Sequence, residues 1–152
     1  MFTWSLRKYL EIVLIASIAS VLVSKTGLYD IVGAVRAMSN YLAILSVSLV
    51  GFPLLAVPLM LQVITTAIDL VGEKPTKELY RDFNTACLLV SLGALTEIVL
   101  LLIMSACQEP GWTRIIISAV AFGNFTAFTV IFILVIVLLQ KIVGELETIF
   151  TQ

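Results

Sequence analysis

The chain has no histidine, two cysteines and few charges, and each scarcity removes a class of function. Without imidazole there is no histidine-ligated haem, no common zinc site and no histidine acid–base pair, so a metalloprotease is excluded. A continuous helix at about 1.5 Å per residue would hold Cys87 and Cys107 roughly 30 Å apart, beyond disulfide reach, and they read as free thiols. Charged residues make up 12% of the 152, where a soluble domain carries about a quarter. Nine Lys plus Arg against ten Asp plus Glu leave a net charge of −1, so no basic field exists to hold nucleic acid directly.

What is present is apolar. Hydrophobic residues account for 61% of the chain, and mean hydropathy is +1.13, too much to hide inside a 16.6 kDa soluble core. The expected fold is all-α: a polytopic integral membrane protein with four transmembrane helices, a kinked second helix and a short interfacial helix, all in a single transmembrane domain over 1–152. The spans are expected at about 9–26, 40–69, 83–107 and 115–139.

The first uncharged run, Ile12 to Ser24, is too short to cross alone, and it does so only if Glu11 and Lys25 snorkel to the two interfaces. A signal peptide competes, since Arg7 and Lys8 precede an apolar stretch ending in small residues; with Met1 and the segment both in place, a true span is expected. Leu28, Ile31, Val32, Val35 and Met38 then recur at helical spacing and predict an interfacial helix over 27–38. Ser39 to Ile68 would be about 45 Å of helix against a hydrocarbon core of about 30 Å, and Gly51, Pro53 and Pro58 predict a kink in it.

Two polar segments remain, a charged connector over 70–82 and an amphipathic tail over 140–152. Lys74, Lys77, Glu78 and Arg81 in the first, and Ile142, Leu146, Ile149 and Phe150 in the second, are the candidate partner-binding residues, because a stripe of this kind needs lipid or protein to cover it. Four spans put both termini and the connector on one side. Arg7, Lys8, Lys74, Lys77, Arg81 and Lys141 fall there and Lys25, Arg36 and Arg114 fall opposite, so the termini are expected to be cytoplasmic, in a bacterial inner (plasma) membrane. Tyr9, Trp4 and Tyr80 at one level, and Tyr29, Tyr41 and Trp112 at the other, read as two interfacial aromatic belts.

Glu97 is the first candidate site residue, since an acidic side chain at mid-span costs about 2.5 to 3.5 kcal/mol on insertion scales and is rarely idle. It is either a protonatable group or a neutral hydrogen-bonding one, and Asn124 and Gln62 are the other buried-polar candidates. Gly93 puts a small residue on the same face of the helix. Ala119, Gly123 and Ala127 form a small-residue stripe in the fourth span, and Ala16 and Ser20 repeat the spacing in the first, as close helix packing requires.

No base accompanies any Ser, Thr or Cys nucleophile, so an enzyme is not expected, and neither is a cofactor or a metal. The expected function is an oligomeric membrane scaffold or sensor subunit. Its expected partners are membrane lipid, further copies of itself and a cytosolic or membrane protein. In organisation, though in no motif, the chain is similar to the membrane subunits of two-component antiviral systems such as Kiwa, which implies a stress or defence setting. A small ion channel or proton-coupled transporter using Glu97 is the second reading, with Gln62, Thr65, Thr66 and Asn124 as further polar positions; an accessory subunit of a larger membrane complex is the third.

Overall fold

The computed structural model describes residues 5–27, 30–71, 77–107 and 111–150, without the side chains at 53, 63, 64, 66–71, 77–79, 145, 146, 149 and 150. Lys74 therefore lies outside the described residues, as do the side chains of Pro53, Lys77, Glu78, Leu146, Ile149 and Phe150. Trp4 and Tyr29 of the expected aromatic belts lie outside them too. Five helices are formed: α1 Leu6–Lys25, α2 Ile31–Val50, α3 Phe52–Val71, α4 Lys77–Ala106 and α5 Trp112–Phe150, with no strand among the described residues.

Among the described residues three helical stretches are long and apolar enough to cross a membrane, Ile31–Gln62, Tyr80–Ala106 and Trp112–Gly144, consistent with an integral membrane protein. The first of them takes in α2 and the start of α3. α1 is not among the three, because Arg7, Lys8, Glu11 and Lys25 leave too short an uncharged run between them.

Local chemistry sets the ends. Gly27 at φ 72° adopts a left-handed conformation that side-chain-bearing residues avoid, and it turns the chain out of α1. Asp30 then caps α2, its carboxylate accepting from the Val32 N–H at 3.1 Å. The segment expected as a separate interfacial helix forms the first turns of α2, because no breaker separates Met38 from Ser39 and the hydrogen-bond ladder continues. The break comes at Gly51. Pro53 has no amide proton, the Leu54 N–H turns to the Gly51 carbonyl at 3.1 Å, and the Ser91 hydroxyl of α4 donates to the Val50 carbonyl at 2.9 Å. The tail expected over 140–152 likewise continues α5 without interruption to Phe150.

α4 and α5 form an antiparallel pair at the centre, with Glu97 opposite Asn124 and Met104 opposite Ser118. α1 lies antiparallel along α5. The Lys25 Nζ sits 5.0 Å from the centroid of the Trp112 ring, and Tyr9 meets Asn124, so α1 covers only the first half of α5. Beyond it α3 takes over, Phe52 meeting Phe132 edge to face at 5.5 Å between ring centroids. One core cluster joins Tyr9, Phe83, Val90, Phe128, Ile131 and Ile142; a second, toward the Trp112 end, joins Ile31, Val35, Leu42, Leu101, Met104 and Ala119.

Candidate functional site: a buried polar cluster

Three helices each deliver one polar side chain to a single point. Glu97 of α4 is fully buried, Asn124 of α5 is 2% exposed and Tyr9 of α1 is 5% exposed. The Tyr9 hydroxyl donates to the Asn124 Oδ1. The Asn124 Nδ2 donates to the Glu97 Oε2 at 2.8 Å and to the Gly93 carbonyl at 2.9 Å. Both amide protons and the amide oxygen are thereby engaged, and Asn124 ties α1 to α4 from its place on α5. Within this cluster the Glu97 Oε1 is buried and has no hydrogen-bond partner among the described residues.

Glycine makes this convergence sterically feasible. A Cβ on Gly93 would stand 2.7 Å from both the Phe128 Cβ and the Tyr9 hydroxyl, closer than atoms can sit. A Cβ on Gly123 would collide with the Ser17 hydroxyl and stand 2.6 Å from the Val13 carbonyl, so α1 and α5 approach backbone to backbone one residue from Asn124. Ala119 and Ala127, the other members of that stripe, are also buried. In α1, Ser20 is buried with its hydroxyl on the Ala16 carbonyl at 2.7 Å, and Ala16 is partly buried.

The other sequence candidates lie elsewhere. Gln62 is exposed on α3 and makes none of the cluster's bonds. Pro58 is exposed inside α3, and Gly51 marks the α2–α3 junction. Arg81 is exposed, 4.0 Å from Asp82. Ile142 is 1% exposed and belongs to the core rather than to an open face.

Tyr9 and Ser17 carry the α1 side of the site, and sequence reading passed over both. Tyr9 is not in an interfacial belt but in the core, because the register of α1 on α5 turns it inward. Its signal was the spacing of Tyr9, Val13 and Ser17, four apart and hence on one helix face.

Chemically the cluster is a hydrogen-bonded lock with one bare carboxyl oxygen, closed over by apolar side chains. Among the described residues no three His, Cys, Asp or Glu side chains gather to hold a metal. No family model matches the chain, and no curated protein and no solved structure matches it, so what this cluster does rests on its own residues.

Proposed function

We propose that the chain is a non-enzymatic, oligomeric membrane scaffold or sensor subunit that holds a cytosolic protein partner at the end of α5. The supporting observation is a mismatch of lengths. α5 has 39 residues, about 58 Å of helix, whereas α1 has 20, about 30 Å. With Lys25 at Trp112 and Tyr9 at Asn124, the charged start of α1 lies near Phe128, about 24 Å along α5, and Arg7 and Glu11 pair there in the open at 3.0 Å.

A hydrocarbon core of about 30 Å is about 6 Å thicker than that separation, so α1 is proposed as a short fourth span whose charged start snorkels to the interface, with the Gly51–Pro53 junction as the bend in the second. The rest of α5 and α3 then stand beyond it. Leu54, Leu55, Leu59, Ile133 and Ile136 are exposed in that region, and as part of the apolar stretches Ile31–Gln62 and Trp112–Gly144 they form faces that lipid or protein must cover. Further copies of the chain and a cytosolic partner are the proposed cover. The similarity of organisation to Kiwa-type membrane subunits carries the proposal on to a stress or antiviral setting.

The channel reading has one observation in its favour, the bare Glu97 Oε1. Against it, the carboxyl is wholly buried within one chain. The test is mild extraction from native membranes, counting copies by native mass spectrometry and identifying copurifying proteins. A homo-oligomer that loses its partner on Leu146→Ser with Phe150→Ser, at unchanged oligomer size, is expected; a monomer without a partner overturns the proposal.

A further inference from the structure

At the end of the bundle that carries Trp112, a cleft of about 480 Å³ opens between α2, α4 and the start of α5. Its volume falls in the range of about 300 to 1,000 Å³ found for small-molecule sites. Arg36 and Arg114 line it together with Ser39, Ser105, Leu101 and Met104, and no carboxylate does among the described residues. The Arg114 Nε is buried and has no hydrogen-bond partner among the described residues. Arg36 is exposed, and its guanidinium makes no hydrogen bond or ion pair among the described residues.

Among the described residues this arrangement lacks an anion. A buried guanidinium donor left unpaired gives up its hydration for nothing, and two guanidiniums on one cleft repel until negative charge joins them. The hydroxyls are already committed: Ser39 donates to the Arg36 carbonyl and Ser105 to the Leu102 carbonyl, each at 2.8 Å. Recognition therefore falls to the two arginines, whose planar forks match phosphate oxygens. Leu101 lies about 8 Å further into the bundle than Ala106, so the polar mouth grades into an apolar floor along the membrane normal.

We propose that this cleft seats the phosphate group of an anionic phospholipid, with Arg36 and Arg114 on the phosphate and Leu101 and Met104 along the upper acyl chain. A free phosphate shares the headgroup chemistry but has nothing to place on the apolar floor.

The experiment uses the full chain, delipidated in detergent, with native mass spectrometry to count retained ligand and thermal unfolding as a second readout. Phosphatidylglycerol, diacylglycerol with the same acyl chains, and inorganic phosphate are added separately. One phosphatidylglycerol retained per protomer is expected, with diacylglycerol retained at least tenfold less and inorganic phosphate without effect on unfolding. Arg36→Gln with Arg114→Gln should cut retention tenfold. Arg36→Gln alone, at an exposed residue with no bonds to lose, should cut it measurably without unfolding the chain. Lys25→Gln, at the same end but outside the cleft, should leave it unchanged. Equal retention of diacylglycerol, or full retention in both arginine variants, overturns the proposal, as does an equal loss with Lys25→Gln. Stabilisation by inorganic phosphate equal to that by the lipid would assign the site to a soluble anion and overturn the lipid.

Discussion

Tyr9 and Asn124 are 115 positions apart in sequence and share a buried hydrogen bond. The same amide holds Glu97 and the Gly93 carbonyl, so one side chain of α5 ties α1 to α5 and α5 to α4.

Removing that amide should cost more than removing either neighbour. Asn124→Leu keeps the volume but strands the Tyr9 hydroxyl and the Glu97 Oε2, and should destabilise by about 1 to 3 kcal/mol. Tyr9→Phe deletes one donor and should cost about 0.5 to 1.5 kcal/mol. Equilibrium unfolding in mixed micelles ranks the two, and the reverse order would remove Asn124 from the centre of the lock.

Two glycines of α5 should respond in opposite senses to the same change. Gly123→Ala forces a methyl against Ser17 and the Val13 carbonyl and should destabilise by about 1 to 3 kcal/mol. Gly144 has nothing within 4 Å of a Cβ, so Gly144→Ala should stabilise the helix by about 0.5 to 1 kcal/mol. Thermal unfolding of both variants measures the contrast, and protease accessibility of α1 should rise only for Gly123→Ala.

Glu97→Gln separates a lock from a proton path. A glutamine can offer its carbonyl oxygen to the Asn124 Nδ2 and keep the cluster, so stability should change by less than about 1 kcal/mol. Reconstituted vesicles should show little pH-dependent ion flux with either protein. Strong flux in the original chain, abolished by the glutamine, would replace the scaffold with a channel.

With four spans, the six-to-three distribution of Lys and Arg predicts cytoplasmic termini. With Cys87 and Cys107 replaced, a cysteine at Thr113 should react with an impermeant reagent added outside intact cells, and one at Thr76 should not. The opposite pattern would invert the topology.

How much of this was legible depended on whether the cause was local. Helical class and the long apolar stretches follow from composition and periodicity within a window, and Glu97, Asn124, Gly93 and Gly123 stand out as polar or small residues in apolar runs. The inward turn of Tyr9 was hidden, because the rotation and axial offset of α1 are set by Gly123 and Trp112, far along the chain. A tyrosine near a chain end looks the same whether it rests at an interface or enters a core. The joining of Arg36 to Arg114 was hidden for the same reason, since neither has a local pattern that marks the other. The start of α2 was misjudged for a local reason instead: amphipathic spacing over its first turns says nothing about where a helix stops.

The order in which the chain is made gives the Tyr9–Asn124 bond a temporal meaning. Synthesis proceeds from α1, so α1 emerges long before the residue that will anchor it exists. Until α5 arrives, α1 is a short, charge-flanked helix with the Tyr9 hydroxyl and the Ser17 face unpacked. Docking of α1 therefore waits for α5, and a ribosome stalled before position 124 should leave a nascent protein whose α1 can still be extracted.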